Sequence, residues 1–392
     1  MDMEVAAPPA AYAASRPRGS VLRFRPTESR RSVLIRLGYN LAVFGVTACG
    51  IGPATAPHCE CAALGGSAGD QLRLNAYEGE PTVTLLSTVA ESRFVDVTDV
   101  ERLSDGRVVV ANTGRREIVF LDSRGRVLRA VGRNAAAGWD PRGAIFLGIL
   151  PGDSVLAGDT RSDRLQMLSP GGDLVRSFAP PLRLSSHRRD HIQLVGVLSD
   201  GISIFTHTRV IGSDRADGVV QDSTEFARCS RGFHDCESLG WFLADEVALR
   251  RGADGFPRLD PVVGGVQRQV AVIGRDLIVT YGDGTPVLRV DVASGVRMES
   301  SVVLPPTVHI VGSEAANLWI RSGCATGGSR VWWVLDLETR QCGTVELPAA
   351  FSPHVIRQGY AVGEWGDSIG SVGIAELEWS QAASLTESRA SR

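Results

Sequence analysis

The sequence LSDGRVVVANTGRREIVFLDSRGRVLRAV, residues 103–131, recurs as LPGDSVLAGDTRSDRLQMLSPGGDLVRSF at residues 150–178, with a constant offset of 47 and no gap. Asn112 therefore corresponds to Asp159, and Gly125 to Gly172. A segment that recurs at such a period is the signature of a fold built from copies of one supersecondary unit. The repeat therefore decides the fold.

Each copy predicts three short strands joined by two turns. In the first copy, the β-branched run 108–110 lies between turn residues, and the strands 118–121 and 127–131 flank a turn in which Gly125 can adopt a positive φ. Residues 95–103 supply a fourth strand. Four antiparallel strands in every 40 to 50 residues or so are typical of the blades of a β-propeller.

Weaker copies follow along the chain. Residues 198–207 repeat the first two elements at an offset of 95, and residues 273–298 match the second copy at an offset of 123. Residues 318–337 provide a fifth copy and residues 360–377 part of a sixth. The unit at residues 198–207 is followed by a polar insert, residues 208–222. We expect this insert to be a loop that overhangs one rim of the propeller.

The last blade lacks an outer strand at the C-terminal end, and the segment 82–89 predicts a strand that completes it. Such pairing would remove exposed sheet edges. We therefore expect an all-β fold over residues 81–379, a six-bladed β-propeller of four-stranded antiparallel blades whose ring is closed by an N-terminal strand. An open β-solenoid and a pair of β-sandwiches are the alternatives.

The first 49 residues indicate export. Arg30 and Arg31 precede the apolar stretch 37–48, an arrangement of positive charge and short apolar run that is typical of signal segments. The stretch is too short to span a bilayer. A buried N-terminal helix is the alternative interpretation. Residues 50–80, rich in glycine and proline, predict a flexible linker, and residues 380–392 predict a disordered polar tail.

The end of the apolar stretch, Val46-Thr47-Ala48-Cys49, resembles the lipobox of bacterial lipoproteins. That resemblance implies that Cys49 is lipidated and becomes the new N-terminus. The protein would then be a lipoprotein anchored to a membrane of the bacterial cell envelope, facing the periplasm or the exterior. The arginine pair also resembles the twin-arginine export signal, so the export route stays open between that route and general secretion.

The seven cysteines leave an even number once Cys49 is set aside. Cys229 and Cys236 flank a predicted tight turn, and we expect a disulfide between them, although reduced neighbours are the alternative. The pairing of Cys324 and Cys342 is left open. His58, Cys59 and Cys61 form a cluster that could bind a metal, but it offers only three ligands in a linker.

The net charge of the chain gives little information about its binding partners. The formal net charge is −3 with a pI of about 6.2, so nothing indicates a nucleic-acid partner. Every basic residue apart from histidine is arginine. That uniformity is typical of a coding bias, and exposed arginine clusters are therefore interpreted as solvated surface.

A propeller leaves a central channel lined by its innermost strands, where loops from several blades meet. The candidate lining groups of the first blade are Asp96, Asp99 and Glu101. Three histidines, His191, His309 and His354, lie near the starts of other inner strands. If they converge, they could hold a divalent catalytic metal; if not, they bond the backbone.

Asn112, Asp159 and His207 share one position of the repeat, after the second strand. A side chain that recurs there is interpreted as structural, because short polar side chains bond the amides of turns.

Each of the first two copies contains a turn, then a strand with the sequence VVVAN or VLAGD, and then a turn, FLDxxG in the first copy. This pattern resembles the NHL and related six-bladed propeller families of bacterial envelope proteins. That resemblance covers roughly residues 82–379 and implies a scaffold, while some relatives are metal-dependent lyases or lactonases with ligands in the channel. We expect a non-catalytic scaffold without a cofactor that binds an unknown protein or small ligand at its channel face. The alternative is a metal-dependent lyase or lactonase that uses His191, His309 and His354.

Overall fold

The structure is a computed structural model that describes residues 82–87, 94–132, 139–162, 164–179, 191–208, 216–252, 257–281, 285–304, 309–312, 317–326, 328–337, 342–357, 359–366 and 372–378. They all belong to one compact unit, His58–Arg392, and a second unit, Met1–Pro57, lies outside the described residues. Their regular structure is all β-strand except for a 3-10 turn at Thr113–Arg115.

The strands form six antiparallel sheets in chain order, preceded by β1 (Thr82–Ser87). Sheet 1 contains β2 (Val97–Arg102), β3 (Val108–Asn112), β4 (Glu117–Leu121) and β5 (Val127–Gly132). Sheet 2 contains β6 (Ile145–Ile149), β7 (Val155–Asp159), β8 (Leu165–Leu168) and β9 (Leu174–Phe178). Sheet 3 contains β10 (His191–Val197), β11 (Ser203–Thr208), β12 (Gly218–Cys229), β13 (Cys236–Arg251) and β14 (Pro257–Pro261).

The remaining sheets follow the same order. Sheet 4 contains β15 (Gln269–Ile273), β16 (Asp276–Thr280), β17 (Pro286–Asp291) and β18 (Arg297–Val303). Sheet 5 contains β19 (Ile310–Gly312), β20 (Asn317–Thr326), β21 (Ser329–Asp336) and β22 (Cys342–Pro348). Sheet 6 contains β23 (Phe351–Arg357), β24 (Tyr360–Gly366) and β25 (Val372–Glu378), with β1 beside β25.

The 47-residue repeat is confirmed at the level of single residues. The strands β3 and β7 begin at Val108 and Val155, and β5 and β9 begin at Val127 and Leu174. The two turn glycines, Gly125 and Gly172, have φ angles of 76° and 83°. These left-handed conformations are the reason that the repeat requires glycine in this turn.

The predicted N-terminal strand is present as β1, which pairs antiparallel with β25 from Thr82 opposite Glu378 onwards. Leu86 of β1 is only 3% exposed and packs with the core residues between sheets 6 and 1. A Cβ atom on Gly125 would lie 1.3 Å from the carbonyl oxygen of Leu86. The β1 backbone therefore passes directly over the turn between β4 and β5.

The sheets are arranged around their first strands. The first strand of each sheet contacts the first strand of the next, and β23 of sheet 6 contacts β2 of sheet 1. Six clusters of buried apolar side chains fill the spaces between successive sheets, including the space between sheets 6 and 1. This arrangement is propeller-like, and it places the first strands where a central channel is expected.

Sheet 3 corrects the prediction of uniform four-stranded blades, because it contains five strands. The stretch 208–222 is also not all loop: Gly218 to Asp222 belong to β12, and Gly218 pairs with Leu249 of β13. The fifth strand, β14, is bounded by Pro257 and Pro261. Proline within sheets is confined to edge strands, to the first residue of a strand and to bulges, so these two prolines weaken the sequence signal and the strand was not predicted.

The predicted disulfide between Cys229 and Cys236 is present, and it joins opposed residues at the end of the β12–β13 hairpin. Cys342 is also disulfide-bonded, whereas the side chain of Cys324 lies outside the described residues.

The export features fall on residues that the structure does not describe. Cys49, Cys59 and Cys61 lie there, with the linker 50–80 and the tail 380–392. The signal segment, the lipid anchor and the envelope location therefore stay predictions. Among the residues that are described, none forms a helix long and apolar enough to cross a membrane.

Candidate functional site: the channel cavity

A cavity of about 390 Å³ lies among the first strands of five sheets. The polar side chains in its wall are Glu101 of β2, Ser199 and Arg275 after β10 and β15, His309 before β19, and His354 and Arg357 of β23. The rest of the wall is mostly small and β-branched, including residues 195–197 and 270–272. Small-molecule sites usually combine an apolar wall with a few polar groups, and the accessible surface of this cavity is more polar than apolar.

Glycines set the distance between these first strands. A Cβ atom on Gly312 of β19 would lie 2.1 Å from the carbonyl oxygen of Val272 of β15. Another on Gly196 of β10 would lie 3.0 Å from Cγ2 of Val272. Because these two positions lack a side chain, β10, β15 and β19 approach closely and form one side of the cavity.

Glu101 is the most perturbed acid of the cavity. Burial first, and then the negative charge of Asp99, raise the pKa of its carboxyl to about 8 against the opposing charge of Arg357. Its Oε2 atom is buried without a hydrogen-bond partner among the described residues. At neutral pH this carboxyl is therefore mostly protonated and can donate a hydrogen bond into the cavity.

Asp99, which the sequence predicted as a channel group, has a structural role. Its Oδ2 accepts a hydrogen bond of 2.8 Å from the N–H of Leu147 in β6, and its Oδ1 accepts one of 2.9 Å from the N–H of Val100. It therefore links the first strands of sheets 1 and 2. Burial raises its pKa, while the charge of His354 lowers it. Asp96, the other predicted acid, is exposed and is not part of the cavity wall.

Two of the three predicted histidines, His309 and His354, line the same cavity. The Nε2 atom of His354 lies 2.9 Å from Oε1 of Glu364 on the neighbouring strand β24. Burial, followed by the charges of Arg321, His354 and Arg330, lowers the pKa of His309 to about 4. His309 is therefore a neutral imidazole at pH 7.

The third histidine, His191, is the first residue of β10, and its side chain lies outside the described part of the chain. Among the side chains that the structure does describe, no three His, Cys, Asp or Glu residues are grouped so that they could hold a metal ion. The convergence of all three histidines on a metal therefore stays a hypothesis.

The recurring polar position behaves as predicted in the first two sheets. Asn112 accepts a hydrogen bond of 2.9 Å from the N–H of Val95, and Asp159 accepts one of 2.9 Å from the N–H of Gly143. Each side chain thereby holds the segment that leads into the first strand of its sheet. The third member, His207, is buried instead with its Nδ1 atom 3.9 Å from the Oε2 atom of Glu225.

A second concavity of about 260 Å³ lies between sheets 1 and 2 and is lined by Arg116, Arg142 and Arg161. All three arginines are exposed. Their charges are solvated, so this concavity requires no counter-ion.

The sequence did not predict three charged groups near the channel histidines: Glu364, Arg321 and Arg330. Glu364 was missed because it meets His354 only across the β23–β24 hairpin. The two arginines are close to His309 only because Arg321 donates its backbone N–H to the His309 carbonyl at 2.8 Å and β21 then returns beside β20.

No family model and no curated protein matches this sequence. Solved structures do match. Virginiamycin B lyase from Staphylococcus aureus is 12% identical, with a TM-score of 0.45 over 77% of this chain and 100% of that chain. A gluconolactonase from Xanthomonas campestris is 13% identical, with a TM-score of 0.44 over 79% and 93%.

A member of the DUF4221 family from Bacteroides vulgatus is 8% identical, with a TM-score of 0.47 over 78% of this chain and 98% of that one. At such low identity, similarity of structure does not carry a reaction or a substrate from one chain to another.

Proposed function

We propose that this chain is an exported six-bladed β-propeller, closed by β1, that binds a small polar ligand in its channel cavity without catalysing a reaction. Lipidation of Cys49 would anchor it to a membrane of the bacterial envelope. The cycle of contacts among first strands and the pairing of β1 with β25 support the closed ring. Neither a nucleic-acid partner nor a resident cofactor is part of the proposal.

The proposal depends most on Glu101, whose carboxyl is buried and mostly protonated at neutral pH. A buried carboxyl oxygen without a partner is costly, since a polar group removed from water usually finds a hydrogen bond. This oxygen belongs to a residue of the cavity wall. A ligand with a hydrogen-bond acceptor would satisfy the protonated carboxyl, and the volume of about 390 Å³ suits a small organic molecule.

The test is a thermal-shift screen of the purified full chain against sugars, sugar acids, amino acids, organic acids and nucleosides. Val355 lines the cavity and belongs to none of the core clusters, so Val355→Trp should fill the cavity. Val175→Trp, at a position that is 60% exposed on β9, is the matched control.

We expect a compound that raises the melting temperature of the wild type and of Val175→Trp but not of Val355→Trp, because ligand binding to the folded state stabilises it. Equal shifts in all three proteins, or no shift with any compound, would contradict the proposal.

A second candidate is a metal-dependent lyase or lactonase, favoured by the presence of His309 and His354 in one cavity. Its test is the metal content of the full chain carrying His58→Ala, Cys59→Ser and Cys61→Ser, which removes the three candidate ligands of the linker. One divalent ion per chain, lost on His309→Ala, would support the enzyme. A metal-free wild type grown in metal-replete medium would contradict it.

A further inference from the structure

We propose that Cys342 of sheet 5 forms its disulfide with Cys59 or Cys61, so that the segment before β1 is covalently tied to the outer strand of the fifth sheet. This N-terminal disulfide would help to close the ring, in addition to the pairing of β1 with β25. The inference concerns the closure of the fold and does not depend on the ligand of the channel cavity.

The first observation is that Cys342 is disulfide-bonded. It is the first residue of β22, the outer strand of sheet 5. Its side chain packs among the buried apolar residues between sheets 4 and 5. Cys229 and Cys236 are bonded to each other and are not available as partners. The cysteines that remain are Cys49, Cys59, Cys61 and Cys324.

The register of sheet 5 excludes Cys324. Cys324 lies on β20, between the residues that pair with Arg330 and Trp332 of β21. On the other side of β21, Cys342 pairs with Leu335. The two cysteines are therefore separated by about 10 Å or more along β21 and by about 10 Å across it. Cα atoms more than about 7 Å apart are not joined by a disulfide unless the backbone moves.

The extent of the compact unit favours Cys59 and Cys61 over Cys49. The unit that contains all six sheets begins at His58, so it includes Cys59 and Cys61, whereas Cys49 belongs to the other unit. Cys49 is also the proposed site of lipidation, which would occupy its sulfur atom. The partner of Cys342 is therefore one of the two cysteines that lie two residues apart in the linker.

The chain between these cysteines and β1 is long enough for the bond. The strands β22 and β1 are the outer strands of two successive sheets, 5 and 6. Residues 62–81 lie between Cys61 and β1, and at about 3.4 Å per residue they can span about 70 Å. This reach exceeds the diameter of about 50 Å expected for a compact domain of about 300 residues.

The N-terminal disulfide would close a very long loop. Its cysteines are 281 or 283 residues apart in the sequence, so sheets 1 to 4 and most of sheet 5 lie inside the loop. The Cys229–Cys236 disulfide joins residues only 7 apart. A cross-link between distant residues removes more conformational entropy from the unfolded chain than one between near residues. The N-terminal disulfide should therefore stabilise the folded state more than the hairpin disulfide does.

Formation of the bond needs an oxidant. The two thiols together lose two protons and two electrons as the S–S bond forms. The electrons reduce the disulfide of an oxidised thiol oxidoreductase, which takes up two protons and is released as a dithiol. Enzymes of this class act in the oxidising compartments outside the cytosol, where the protein would be placed by the proposed export.

The experiment maps the disulfides of the full chain, exported to the periplasm, by mass spectrometry after alkylation of free thiols and digestion without reduction. Trypsin cuts only after arginine here, because the chain contains no lysine. The three groups of cysteines then lie on separate peptides, namely residues 37–73, or 49–73 after processing, residues 322–330 and residues 341–357. A second digestion after Glu60 separates Cys59 from Cys61.

We expect residues 341–357 to be joined to the peptide that ends at residue 73, and the second digestion to identify the cysteine. A bond between residues 341–357 and 322–330 would overturn the inference. So would alkylation of Cys342 as a free thiol, or a bond from Cys342 to a second copy of the chain.

Thermal unfolding tests the role of the bond in closure. The variants are Cys342→Ala, the pair Cys59→Ala with Cys61→Ala, and all three substitutions together, with Cys236→Ala as the control that breaks the hairpin disulfide. Because the first two variants break the same bond, the triple variant should melt within about 1 °C of Cys342→Ala.

The pair Cys59→Ala with Cys61→Ala should lower the melting temperature by at least about 3 °C more than Cys236→Ala, since the loop is much longer. Losses that add in the triple variant would overturn the shared bond. A loss in the pair that is no larger than that of Cys236→Ala would overturn its role in closing the ring.

Discussion

The carboxylate of Asp99 and the backbone N–H of Leu147 are joined by a hydrogen bond of 2.8 Å, which connects the first strand of one sheet to the first strand of the next. Replacing Asp99 by alanine should lower the free energy of unfolding by about 1 to 3 kcal/mol, because the Leu147 N–H is left without a partner. Asp99→Asn, which keeps an acceptor oxygen, should lower it less. Urea denaturation measures both, and equal stability of Asp99→Ala and wild type would contradict this role.

Glu101 should make stability fall as the pH rises towards 8. The unfolded glutamate loses its proton near pH 4.5, whereas the folded carboxyl keeps it until about pH 8. Between these values the folded state binds more protons than the unfolded state, so the free energy of unfolding decreases with pH by at most about 1.4 kcal/mol per unit. The raised pKa of Asp99 adds to this decrease.

The measurement is urea denaturation from pH 6.5 to 9, with the exposed Glu299→Gln as the control. Glu101→Gln cannot titrate, so its stability should decline less between pH 6.5 and 8 and exceed that of the wild type at pH 8. If Glu101→Gln and Glu299→Gln gave the same pH profile, the assignment of Glu101 as a protonated acid would be wrong.

His309 should have the opposite effect at lower pH. Its pKa is about 4 in the folded state and 6.5 in the unfolded state. Between these values only the unfolded chain binds the proton, so the contribution of His309 to the free energy of unfolding rises with pH from about 4 to 6.5, whereas that of Glu101 falls from pH 4.5 to 8. His309→Gln should flatten this part of the profile without changing the part above pH 6.5. A profile that His309→Gln leaves unaltered would contradict the burial of a neutral imidazole.

The pairing of β1 with β25 predicts a contrast between adjacent leucines. Leu86 is 3% exposed and lies in the core between sheets 6 and 1, whereas Leu85 is 46% exposed. Leu86→Ala should lower the free energy of unfolding by about 2 to 5 kcal/mol, and Leu85→Ala by less than about 1 kcal/mol. Chemical denaturation of both variants tests this. Similar losses would mean that β1 does not seal the last sheet as described.

The sequence predicted the parts of the fold that follow from local patterns. The offset of 47 placed Asn112 and Asp159 at equivalent strand ends, and the spacing of Cys229 and Cys236 predicted their disulfide. Turn glycines and β-branched runs determine the local conformation of a few residues, so they can be recognised in the sequence without knowledge of tertiary contacts. The fifth strand of sheet 3 could not be predicted, because Pro257 and Pro261 weaken the strand signal of β14.

The site was predicted only in part, for a physical reason. Glu101, His309 and His354 were identifiable because they lie on or next to first strands, which must face the channel. The raised pKa of Glu101 could not be predicted from the sequence, since it depends on burial and on the charge of Asp99. The closeness of Arg321 and Arg330 to His309 was not predictable from the sequence, because it depends on the pairing of β20 with β21.

The most direct test of the proposed function is a crystal structure of the full chain grown with a saturating concentration of the compound that raises its melting temperature. We predict electron density for that compound inside the cavity among β10, β15, β19 and β23, with an acceptor atom within hydrogen-bond distance of the Glu101 carboxyl. An empty cavity, with the compound bound elsewhere on the chain, would contradict the proposed function.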